Sequence, residues 1–180
     1  MRNPWEEIRL EDYEKHMALD SVRQLQALNG IMKAQMEAYP VKTVMILGVA
    51  GGNGLEHAAP EKLDRVYGVD INREYLQAAG ERYAGLGDKL RLMCLDLTKD
   101  AGKLPEAERV IADLLIEYTG YAAFTAAVKQ AAGETGSERK CRYAWVCLWG
   151  GAGRRQRWGR GPQAGPNRHG GGGGIPPTGH

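Results

Sequence analysis

The chain has 180 residues, 43% of them hydrophobic and 26% charged, with a formal net charge of +2, the composition of at most one soluble globular domain. No apolar run approaches the roughly 20 residues that a membrane helix needs, and the first residues, Met1-Arg2-Asn3-Pro4-Trp5-Glu6-Glu7, lack an apolar signal core; a cytoplasmic protein with no membrane partner is expected. Cys94, Cys141 and Cys147 form no CxxC pair, so neither a zinc site nor a disulfide framework is indicated.

The near-neutral total hides a split. Residues 1–133 carry 16 Lys and Arg against 20 Asp and Glu, whereas residues 134–180 carry 8 against 2, so two regions of different character meet near Gly133.

Residues 1–40 read as a helical extension. Leu25, Leu28, Met32 and Met36 recur at helix spacing, Asp20 offers an N-cap and Pro40 closes the run, after a shorter helix predicted over Asp12 to Leu19. A first strand, Thr43 to Leu47, breaks into Gly48-Val49-Ala50-Gly51-Gly52-Asn53-Gly54, and Pro60 limits the short helix that follows. The second strand, Arg65 to Val69, ends on Asp70. Asn72 then caps a helix reaching to Tyr83, with Tyr75, Leu76 and Ala79 on one face. Strand three, Leu90 to Leu95, ends at Asp96. A polar loop leads to strand four, Arg109 to Leu114, and an alanine-rich helix runs from Tyr121 to Ala132.

This alternation predicts an α/β fold, a Rossmann-like parallel sheet in the strand order 3-2-1-4 with helices on both faces. A fifth strand fits within Arg142 to Trp149. The ligand cleft is expected at the carboxyl ends of the strands, where the order reverses between strands one and four. The predicted organisation is a helical extension over 1–40, a cofactor-binding domain over 41–149 and a disordered tail over 150–180, where glycine, arginine and proline dominate and Gly170 to Gly174 is unbroken.

Strand, glycine turn, helix, strand, acid is the order in which such a sheet builds a pocket for a nucleoside-bearing cofactor: the glycines let backbone approach the ligand, and the acid meets the ribose. Through that turn, Asp70, Asp96 and the run Ala112-Asp113-Leu114-Leu115-Ile116-Glu117-Tyr118, residues 40–130 resemble the class I S-adenosylmethionine-dependent methyltransferases. The resemblance implies S-adenosyl-L-methionine as cofactor and methyl transfer to a small-molecule or protein acceptor. It sets Gly48, Gly52 and Gly54 against the methionine part, Asp70 on both ribose hydroxyls, Ile71 against the adenine, and Asp96 on the adenine amino group with Leu95 and Leu97 flanking the ring. Asp113, Glu117 and Tyr118 are the candidates to line the reactive methyl, and the N-terminal helices look like the lid many such enzymes carry.

Two departures from the family pattern matter. Ile46 stands where an acid is usual, so the cofactor's amino group must be met by backbone carbonyls or Glu56. The strand-four run has no Asn/Asp-Pro-Pro-Tyr motif, which counts against adenine or amide methylation. His16 and His57 read as surface or capping residues. The family has seven strands and this sequence reaches four or five, so an uncovered strand-four edge that invites self-association, and impaired turnover, are expected.

The tail segment Arg154-Arg155-Gln156-Arg157-Trp158-Gly159-Arg160 has the composition of an RNA-binding stretch, the one route by which nucleic acid would enter. A shifted reading frame through GC-rich codons yields the same residue types, and a frameshifted or alternative C-terminus is the expectation. Two other functions fit parts of the sequence. One is a non-catalytic isoform or regulatory partner that keeps the cofactor. The other is a nicotinamide dinucleotide-binding protein, but its Gly-x-Gly-x-x-Gly fails, because the third position from Gly48 is Ala50 and the sixth from Gly52 is His57.

Overall fold

Strands β1 (Thr43–Leu47), β2 (Arg65–Asp70), β3 (Leu90–Cys94), β4 (Arg109–Asp113) and β5 (Arg142–Cys147) lie parallel in the order β3-β2-β1-β4-β5, and β6 (Arg155–Arg160) pairs antiparallel with β5. The computed structural model describes residues 3–133 and, as backbone, 142–147 and 155–160. The order 3-2-1-4 predicted for the first four strands is the one found.

The central strand explains why the sheet is legible. Val44, Met45 and Leu47 are fully buried and Ile46 nearly so, an unbroken apolar run, as expected of a strand covered on both faces. Successive side chains go to opposite sides. Met45 and Leu47 share a core with Val110, Ala112, Phe124, Ala127 and Val128. Val44 and Ile46 share the other core with Met32, Leu55, Val66 and Leu76. The helices are α1 (Leu10–Ala18), α2 (Gln24–Glu37), α3 (Arg73–Arg82), the single turn α4 (Leu97–Asp100) and α5 (Ile116–Ala132), of which α2, α3 and α5 supply the helical residues named here.

Helix α2 is tied to the sheet through its carboxyl end. Arg109, at the start of β4 and fully buried, donates from Nη1 to Met36 O at 2.7 Å and from Nη2 to Tyr39 O. A guanidinium is tolerated there because it meets the negative end of the helix dipole and carbonyls that would otherwise lack donors.

Several boundaries differ from expectation. Helix α2 starts after Arg23, which has φ 47° and no side-chain cap bond. The chain turns tightly after α1, with Val22 and Arg23 donating to Leu19 O, so Asp20 sits in that turn and caps nothing. Gly120 (φ 76°, ψ 165°) breaks α5 in a region essentially reserved for glycine, which separates the turn at Ile116 from the helix body predicted from Tyr121. The β4 edge is not open, because β5 covers it in parallel register. Within the stretch read as a disordered tail, 155–160 is strand, held by backbone pairing to the free edge of β5, which requires no apolar side chain. The rest of 150–180 lies outside the described residues. Among the described residues no helix is long and apolar enough to cross a membrane.

Candidate functional site

A cleft opens at the carboxyl ends of β1 to β4, enclosing about 930 Å³ including space open to solvent. It gathers Gly48, Asp70, Ile71, Asp96, Leu97, Asp113 and Tyr118. It does not include Gly52, Gly54 or Glu117.

The glycine turn divides its work between ligand space and packing. Gly48 has φ 73° and donates to Val69 O at 2.8 Å, which ties the end of β1 to β2. A Cβ there would lie 3.1 Å from Leu115 Cδ1, at the wall of the cleft. Gly52 and Gly54 also have positive φ, 89° and 95°, but face inward. A Cβ on Gly52 would lie 2.6 Å from the Tyr83 ring, and one on Gly54 would lie 2.7 Å from Met32 Cβ. These two glycines let α2 and the end of α3 close on the turn. Ala50 (φ 46°) takes their place in the cleft.

Asp70 ends β2 with both carboxylate oxygens held. Oδ2 accepts from Ala50 N and Oδ1 from Asn72 N, each at 2.9 Å. Burial pushes its pKa up, only partly offset by the backbone N–H groups of Asn72, Ala50 and Ile71. A carboxylate has about four acceptor positions, so each oxygen keeps one for a ligand. Asn72 caps α3 through Oδ1, which accepts from Glu74 N and Tyr75 N, while its Nδ2 donates to Trp5 O at 2.9 Å and Ile8 O at 3.3 Å. The cap predicted for α3 thus also fastens the N-terminal segment over the cleft.

Asp96 lines the cleft but is heavily engaged. It caps α4 by accepting from Thr98 N (3.0 Å) and Thr98 Oγ1 (2.6 Å), and it pairs with Lys99 at 2.7 Å. The Lys99 ammonium, then the Thr98 hydroxyl, hold its carboxyl below the usual range. Asp113 ends β4, and its Oδ1 accepts from Nε2 of the fully buried Gln35 at 2.9 Å. Glu117 is exposed on the first turn of α5. Glu56 is outside the cleft, where it accepts from Asn29, Gly54 N and Tyr83 Oη. His57 packs in the same polar cluster, 2.9 Å from Asn29 Oδ1.

An aromatic cluster roofs the site. The Trp5 ring meets Tyr118 edge-on at 4.5 Å and Tyr13 at 6.2 Å, and Tyr13 stacks on Tyr75 at 5.9 Å. Burial raises the Tyr13 hydroxyl to about 12, helped by Tyr118 and the Asp70 charge. Helix α1 is latched by Arg82, which pairs with Glu14 and donates to Gly51 O at 3.2 Å. The sequence gives no sign that Tyr13, Tyr75 and Ala50 line a site. It shows Trp5 and the segment around Tyr13 only as a lid, and nothing in their spacing says which strand ends they cover.

No protein-family model matches the chain, and no curated protein shows significant similarity to it. Solved structures do match. DhpI, in a complex with SAM and HEP, aligns with a TM-score of 0.56 and 17% identity over 78% of this chain and 61% of that one. Phosphoethanolamine N-methyltransferase 1 of Haemonchus contortus, in complex with phosphoethanolamine and S-adenosylhomocysteine, aligns with a TM-score of 0.53 and 15% identity over 82% and 33%. The chain has the fold of S-adenosylmethionine-dependent methyltransferases. The methyltransferase fold is also that of SpnF, a [4+2]-cyclase (TM-score 0.53, 11% identity, 70% of this chain and 46% of that one), so at these identities the likeness concerns architecture and the site must argue the chemistry. The chain spans 33% to 61% of the length of these three proteins.

Proposed function

We propose that the chain binds S-adenosyl-L-methionine in this cleft and transfers its methyl group to an acceptor held beside Asp113, Trp5 and Tyr118. The observation that carries the reading is the pairing of Asp70 with the Gly48 bend in one cavity: a half-buried carboxylate with acceptor positions to spare, beside a bend whose own residue carries no side chain. Asp70 would take the two ribose hydroxyls, Ile71, Leu95 and Leu97 the adenine, and the Gly48 bend the amino-acid end. The cofactor, when bound, supplies an electrophilic methyl on a sulfonium. The protein's share is orientation and exclusion of water, through the aromatic roof, and removal of the acceptor's proton where one must leave, for which Asp113 is the carboxylate at hand.

A dinucleotide fits less well. Its pyrophosphate needs a helix N-terminus directly after the glycines. Here the turn leads only to the three-residue 3-10 turn Leu55–His57, and Gly52 and Gly54 are filled from behind by Tyr83 and Met32.

Titration calorimetry with S-adenosylhomocysteine tests the cofactor reading, and absence of binding overturns it. The affinity is expected to fall on acidification as Asp70 takes up a proton, with a midpoint above the ordinary aspartate value because its pKa is raised. The same shift has the opposite sign for folding. The folded state binds this proton more tightly than the unfolded chain, so this group's contribution to stability grows as the pH falls through that window and is lost as the pH rises through the raised pKa.

The charge of the cleft supports an acceptor class. Its described lining includes the carboxylates of Asp70, Asp96 and Asp113 and no lysine or arginine, which favours a neutral or amine-bearing acceptor over a phosphate or carboxylate. In a methylation assay across such a panel, amines are expected to lead, and preference for an anionic acceptor would refute the assignment.

A further inference from the structure

We propose that the Tyr75 hydroxyl is a ligand-binding group that donates to the sugar received by Asp70; this rests on the cofactor reading above. Tyr75 lies on the first turn of α3 and is 3% exposed, yet its hydroxyl has no hydrogen-bond partner among the described residues. A phenol buried without a partner carries a desolvation cost that phenylalanine would avoid, and such groups in folded proteins call for a reason. The side chain has little freedom to seek another partner. Its ring stacks on Tyr13, and its backbone N–H is held by the Asn72 cap.

Tyr75 lines the same cleft as Asp70. Burial, then the Asp70 charge, pushes its pKa up to about 12, so it stays protonated at neutral pH. The chemistry is complementary. A sugar hydroxyl that donates to a carboxylate keeps lone pairs that accept from a phenol, so Asp70 and Tyr75 together satisfy one hydroxyl in both senses.

Tyr75→Phe tests this, because it keeps the buried ring and removes only the oxygen. The ligand-free variant is expected to melt at the wild-type temperature or above, since an unpaired polar group has gone. Its affinity for S-adenosylhomocysteine is expected to fall about 5- to 10-fold, the range of one hydrogen bond. In competition experiments, the wild-type preference for adenosine over 2′,3′-dideoxyadenosine should shrink by a similar factor. Equal affinity in the variant and the wild type overturns the proposal and leaves the cofactor reading standing. So does a loss of affinity that is the same for the dideoxy analogue, or one accompanied by a lower melting temperature, which marks packing damage. If the wild type itself binds no S-adenosylhomocysteine, the cofactor reading fails and this inference fails with it.

Discussion

Asp70→Asn is expected to weaken S-adenosylhomocysteine binding by about a hundredfold or more, the largest functional effect of any single change in the cleft. Hydrogen bonds to a charged group contribute about 1.5–3 kcal/mol each, and two ribose hydroxyls would lose the anion they donate to. The substitution keeps the shape of the side chain, so the loss reads charge and acceptor capacity. A secondary cost falls on the fold. Asp70 accepts from Ala50 N on one oxygen and Asn72 N on the other. An amide offers an oxygen to one of these and opposes the other with its own NH2, which costs about 1–3 kcal/mol and lowers the melting temperature by several degrees. Calorimetry well below the melting transition separates the two effects. Affinity within threefold of wild type would remove Asp70 from the ligand site.

Gly54→Ala is expected to give the largest loss of stability, about 3 kcal/mol, seen as a fall of roughly 10 °C in the thermal midpoint followed by circular dichroism. Two costs combine. The residue sits at φ 95°, where a Cβ is strained, and the new methyl would lie 2.7 Å from Met32 Cβ, on a helix whose end is pinned to β4 by Arg109. Because this glycine faces α2 and not the cleft, the folded fraction should bind S-adenosylhomocysteine nearly as well as the wild type. A variant that melts normally but binds poorly would return Gly54 to the ligand surface.

Much of the sheet was readable because β1 and β4 are covered on both faces and so are uninterrupted apolar runs, and because Asn72 is a strong cap immediately after a strand end. The acids Asp70, Asp96 and Asp113 were readable for a related reason: each is the first polar residue after such a run, and parallel strands deliver all three to the same end of the sheet. What stayed hidden depends on contacts between distant segments. Three glycines with positive φ look alike in sequence, and only the packing of Met32 and Tyr83 shows that two of them face away from the ligand space. Asp96 reads as a ligand group against the alternative of a turn aspartate, and in the fold it caps α4 while lining the cleft. Asp20 has the chemistry of a cap, but the tight turn after α1 moves the helix start beyond its reach. The pairing of β6 with β5 is a backbone matter, and a segment rich in arginine and glycine gives no sign of it.

Asn72 splits its two duties between two atoms, and that division has a dynamic consequence. The carbonyl oxygen holds α3, while the amide nitrogen holds the backbone at Trp5 and Ile8. Lifting residues 3–18 away therefore breaks two hydrogen bonds, the Glu14–Arg82 pair and a few ring contacts and exposes the buried Leu10 and Met17, but leaves α3 capped and the β-ladder untouched. Such an opening costs less than unfolding the domain. For the proposed cofactor, a doorway of this kind would allow entry and exit by local breathing, with the carboxylates on the strand ends keeping their places throughout.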